Sequence, residues 1–181
     1  MYDNIIFMKY GVHATVEVEE ILKQKRENLK EFGYFLWGYG GSACHPSKQI
    51  KPFAIGADSE VSLVMSYTPS KNTSKPTPQR ESSLDGNDWG VLNEGLHIYG
   101  SKWAIVCDSL TECDFKLQPT EYEVAVGPNE GKRLDHYVKG QNDKACARRR
   151  RLIPPDEAPI ASPCHIKIVC SIAPPYAVFV R

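Results

Sequence analysis

Only one stretch of this chain carries a sustained helical period, and that limits the architectures open to it. Between residues 15 and 33, Val18, Ile21, Leu22, Leu29 and Phe32 fall on one stripe, with Thr15 placed to cap the first turn and Gly33 to end the last. Glu19 and Lys23 stand four apart on the opposite, solvated face, a pair worth roughly a few tenths of a kcal/mol. All other apolar residues come in runs of strand length. They are Ile5 to Met8, Tyr34 to Trp37, the alternating Val61 to Tyr67, Leu96 to Val106 bent or paired around Gly100, and Tyr122 to Val126. His136 to Val138 reads as a further strand, and Ile166 to Cys170 and Tyr176 to Val180 as two last ones parted by Pro174 and Pro175. One helix with about six to eight strands, and no repeated strand-helix-strand unit, predicts an α+β chain. Its expected form is a partly closed mixed β-barrel or strongly curved sheet with one N-terminal helix.

A length of 181 residues suits a single domain, and a hydrophobic content of 41% is enough to give it a core. The Ser, Thr, Pro, Lys and Gly composition of residues 69 to 93 predicts a long polar loop, pinned at its far end by Trp89, Val91 and Leu92. Residues 154 to 163, with paired prolines and an acidic pair, predict an exposed connector. The 22 basic and 22 acidic side chains cancel, so no whole-molecule field draws the chain to nucleic acid or an anionic membrane. No apolar run reaches the roughly 20 residues of a membrane span, and no basic segment precedes Ile5, so a cytoplasmic placement is expected. In a reducing compartment the six cysteines are expected as thiols.

The segment most suggestive of chemistry is Gly38 to Pro46. A strand there runs into Tyr39, Gly40, Gly41 and Ser42, followed by Cys44 and His45, and such a turn can present backbone N–H groups to an anion. His45 could activate a neighbouring hydroxyl or thiol, whereas the plainer alternative is a tight structural turn with a buried Cys44. The Gly-Lys-Ser/Thr ending of a phosphate loop is absent. Cys44 and His45 with Cys164 and His165, or Cys107 with Cys113, lack the spacing of structural zinc sites. No cofactor is called for.

Arg148, Arg149, Arg150 and Arg151, with Lys139 and Lys144 upstream, form a basic strip opposed between residues 139 and 152 only by Asp143. It could meet phosphates, and Trp37, Tyr39 and Trp89 could stack a base. Among the acids Asp108, Glu112, Asp114 and Glu123, Glu112 follows from the hydrophobic strand ending at Cys107 and is the candidate proton carrier. Asp135, His136 and Ser42 lack the Gly-x-Ser-x-Gly elbow of a common hydrolase triad.

The order of these features resembles the γ-glutamyl cyclotransferase-like proteins over about residues 34 to 140. The resemblance is carried by Phe35 to Trp37 entering the Tyr39-Gly40-Gly41-Ser42 turn, by Gly95 to Val106, and by Tyr122 to Val126 with Gly131 and Tyr137. It implies a small mixed barrel whose turn binds substrate through backbone amides while a glutamate shuttles a proton as an amine attacks a γ-glutamyl carbonyl. A second glycine precedes Ser42, a helix precedes the strand, and the family's Leu-Asp-x-x-Glu is missing, which leaves Glu112 as the nearest substitute.

Two functions are therefore expected. The first is a small-molecule-binding barrel with Tyr39, Gly40, Gly41, Ser42 and His45 around the ligand, extended by the resemblance to catalysis through Glu112. The alternative is a binding module without chemistry, a nucleic-acid or modified-base reader or a protein-binding inhibitor, using the aromatic residues and Arg148 to Arg151. Whether the chain is an enzyme stays open at this point.

Overall fold

The computed structural model describes residues 2–71, 76–96, 98–139 and 143–181. The first strand, β1 (Asn4–Val12), leads through a turn with Ala14 and Thr15 at positive φ into α1 (Val18–Phe32). Gly33, at φ 77°, ends the helix with its N–H on the Leu29 carbonyl, a left-handed stop that a side chain would strain. β2 (Phe35–Tyr39) follows, then a π-helical turn over Pro46–Ile50, α2 (Lys51–Gly56) and β3 (Val61–Lys71). Four short strands come next: β4 (Pro78–Gln79), β5 (Glu81–Ser83), β6 (Gly90–Val91) and β7 (Ile98–Tyr99). β8 (Trp103–Cys107), β9 (Thr111–Leu117), β10 (Tyr122–Val124), α3 (Leu134–Val138), β11 (Lys144–Arg149) and the 17-residue β12 (Cys164–Val180) complete the order.

Ten of these strands form one mixed sheet whose spine is β12. Its first half lies between β3 and β9, with Val169 opposite both Val64 and Thr111. Its second half lies between β8 and β5, with Phe179 opposite both Trp103 and Ser83. β1 extends the sheet from β3 in parallel, Ile6 facing Leu63, and β11 and β10 follow antiparallel, while β2 pairs only with β8. The mixed α and β class holds, while the large sheet does not close on itself and so does not confirm the expected partly closed barrel.

Alternation along β1 explains how the layers divide. Ile6 and Met8 join Trp37, Leu63 and Ile105 in a core roofed by α1, whereas Ile5 and Phe7 join Leu134 and Ile166 on the opposite face under α3. Burial of both faces is why β1 reads as a continuous apolar run rather than an alternating one.

Several expectations are corrected. Thr15 does not cap α1; the capping position is Glu17, and no side chain bonds there. Lys23 pairs with Glu20 at 3.8 Å rather than with Glu19. Residues 136 to 138 belong to α3, because Leu134 and Val138, four apart and both buried, set a helical period that a three-residue window conceals. The two C-terminal strands are one: the proline pair sits where the β8–β12 register shifts between Ile172 and Ala177, so neither missing N–H breaks the ladder. The polar stretch 69 to 93 contains β4 to β6 among its described residues, and Trp89 stacks beneath Arg181 with the guanidinium carbon 4.1 Å from the ring centre.

Candidate functional site

The turn after β2 is shaped by two groups that sequence could name but not place. Tyr39 is buried, and its hydroxyl donates to the Cys44 carbonyl at 2.5 Å, drawing Gly40 to Ala43 into a closed loop. Burial first, then the neighbouring thiols Cys44 and Cys146, push the Tyr39 phenol far up, so it remains a donor. His45 faces away from the loop. Its ring packs 4.9 Å from Trp103 and 5.5 Å from Phe179, and its Nδ1 accepts the N–H groups of Ser47 and Lys48. That makes His45 the cap of the turn leading into α2, and burial with the Lys48 charge lowers its pKa toward the neutral ring. Cys44 is buried with its Sγ 3.7 Å from Cys146 Sγ, and Ser42 is exposed.

A cavity of about 360 Å³ opens beside the turn. Its walls are the end of β1 from Met8 to His13, Ile21, Gln24 and Lys25 of α1, Trp37 to Gly40 of β2, Ile98 to Ser101, and Lys144 at the start of β11. His13 Nε2 lies 2.8 Å from the Tyr99 carbonyl and ties two of these rims together. Gly38 is required where it stands: an added Cβ would meet Ile98 Cγ2 at 2.2 Å and Ser101 Oγ at 2.4 Å. Of the residues expected to hold substrate, Tyr39 and Gly40 line this cavity, while Gly41, Ser42 and His45 do not.

The lining is aromatic and basic. Tyr10 meets Trp37 edge-on at 6.1 Å. Lys25 is 8% exposed, and burial draws its ammonium down to about 8. The Lys144 side chain is 12% exposed, its Nζ bonds Asp143 Oδ1 at 2.5 Å, and a Cβ at Gly41 would stand 3.9 Å from that Nζ. Lys9 contributes differently, since it falls with Phe7 on the face opposite Met8 and Tyr10. No family model, curated protein or solved structure matches this chain. The site is therefore read from its own geometry.

Glu112 stands apart from the turn and the cavity. It is exposed on β9 and forms an ion pair with Arg26 on the outer side of α1.

Three of the four arginines in the basic strip pair with acids distant in sequence. Arg148 meets Glu123 and Glu130, Arg149 meets Glu121, and Arg150 forks onto Glu157. Arg133 also holds Glu157 at 2.9 Å and binds the fully buried Asp135, whose carboxylate takes the Ile160 N–H at 3.0 Å. Burial works against the Asp135 charge, but Arg133 and these amides hold its pKa at about 2. Arg150, with Arg133 and Asp135, thus ties the 154 to 163 connector to α3, and the acids that meet the strip, Glu121, Glu123, Glu130 and Glu157, all lie outside the 139 to 152 window in sequence.

Lys25 and Lys144 were not among the expected site residues. Lys25 had a signal: it lies three residues beyond Leu22 and four before Leu29, a polar position inside the apolar stripe of α1. Lys144 stood out only as part of the basic strip, because its approach to Gly41 depends on the β1–β11 pairing.

Proposed function

We propose that this chain is a small-molecule-binding protein whose site is the cavity between α1, the end of β1 and the glycine-rich end of β2. The ligand it suits has a flat unsaturated body and an anionic group. One observation carries this: two largely enclosed ammonium groups, Lys25 and Lys144, share a 360 Å³ space with Trp37 and Tyr10. That volume lies in the range of small-ligand sites, and a cavity with an aromatic wall and few convergent polar groups is their usual form. Asp143, which also lines the cavity, pairs with Lys144 there. The open sheet supports the same reading, because among the described residues β2 pairs with β8 alone and the cavity lies at its Trp37–Tyr39 end.

The test is a thermal-shift titration with benzoate, indole carboxylates and nucleoside monophosphates. Ligand binding to the native state alone raises the melting temperature with concentration. Trp37→Leu and Lys144→Met should each abolish the shift. A shift that survives both substitutions places the ligand elsewhere.

A further inference from the structure

We infer that Cys44 and Cys146 are a peroxide-sensitive thiol pair, which a hydroperoxide converts to a disulfide joining the glycine-rich turn to β11. This stands whether or not the cavity takes a ligand. The two residues are 1% and 3% exposed, and the Cys146 thiol donates to Cys44 Sγ at 3.7 Å although 102 positions separate them. A disulfide holds its sulfurs about 2.05 Å apart, so about 1.7 Å of approach remains.

The turn supplies that approach. Cys44 sits at φ 58° outside any strand, and an added Cβ at Gly40 just before it would meet nothing within 4 Å. Gly41 and Ser42 are exposed, so an opening of this turn brings peroxide to Cys44 Sγ. Cys146 is the fixed partner. It faces Ile6 of β1, its carbonyl takes the Ala125 N–H at 2.8 Å, and the Cys44 contact together with burial keeps its thiol protonated. Cys107 and Cys170 also meet, but both lie within paired strands: Cys107 stands opposite Phe35 and Ile172, and Cys170 opposite Leu63. That pair has no loop to move.

With hydrogen peroxide as the oxidant the step balances. Cys44 sulfur attacks one peroxide oxygen, the O–O bond breaks, and the departing hydroxide takes the thiol proton, leaving a sulfenic acid and water. Cys146 sulfur then attacks that sulfur, the S–O bond breaks, and the leaving hydroxide takes the Cys146 proton as a second water. The two thiols lose two electrons, and the peroxide receives both.

The experiment treats the full, reduced chain with hydrogen peroxide, alkylates the remaining thiols in denaturant and maps the unreduced digest by mass. The Cys44–Cys146 link should outnumber every other cysteine pairing at least about tenfold, because the fold already holds these two sulfurs together. Cys146→Ala should leave Cys44 as a sulfenic acid that dimedone captures, and Tyr39→Phe, which lacks the bond tying the turn shut, should form the link faster than wild type. Oxidation confined to the half-buried Cys113 and Cys164, with Cys44 and Cys146 alkylated, overturns the proposal, as does pairing of Cys44 with other cysteines as often as with Cys146. The wild-type map decides even where a variant fails to fold.

Discussion

The Tyr39 hydroxyl donates to the Cys44 carbonyl oxygen across the glycine-rich turn, and this bond sets the shape of the loop beside the cavity. In Tyr39→Phe the carbonyl stays buried without its donor, a loss of about 1–3 kcal/mol. Urea denaturation should show the midpoint falling with an unchanged slope, because a local bond is lost and not the compactness of the fold.

The glycines of this turn differ in what they tolerate. Gly38→Ala drives a methyl into Ile98 and Ser101 and should cost about 1–3 kcal/mol. Gly40→Ala meets nothing within 4 Å and its φ is not positive, so its effect should stay within about 0.5 kcal/mol. Equal losses at both positions, measured by thermal denaturation, would contradict the described backbone.

The sequence marks the turn by its three glycines yet cannot rank them, since the clash at Gly38 comes from residues about sixty positions away. Local signals sufficed where the period lay within one element, as in α1 and the β3 alternation. They failed for β9 and β11, whose charged residues hide a strand pattern that pairing supplies, and for Lys25, whose burial is a tertiary fact. Glu112 shows the converse: its place after an apolar strand suggested a mouth, but Arg26 on α1 decides where it points.

Lys25 should leave a signature in pH titration. Its folded pKa of about 8 lies below the 10.5 of the unfolded chain, so between these values the unfolded state binds more protons and stability contributed at this site rises with pH. At neutral pH the buried charge costs up to about 3 kcal/mol, at about 1.4 kcal/mol per pKa unit. The stability of wild type relative to Lys25→Met should therefore rise between about pH 8 and 10.5, which changes the gap between the two. A gap independent of pH would show the ammonium is not buried as described.

Asp135 acts with the opposite sign. Its folded pKa of about 2 is below the ordinary 3.8, so its contribution is full above about pH 4 and is lost as pH falls toward 2. Asp135→Asn takes the buried carboxylate from Arg133, which keeps Glu157, and should cost about 1–3 kcal/mol at pH 7, with a flatter acid limb. Arg148→Ala, on a half-exposed pair, should cost at most about 1 kcal/mol. Chemical denaturation across pH 2–7 distinguishes the two.

The most direct measurement is amide chemical-shift mapping on the isotopically labelled chain with a ligand taken from the thermal-shift panel. The cavity account predicts the largest changes at Lys25, Gly38, Gly40, Gly100 and Ser101, from three separate stretches of sequence that meet around the cavity. Changes centred on Arg148 to Arg151, with those amides unmoved, would contradict it.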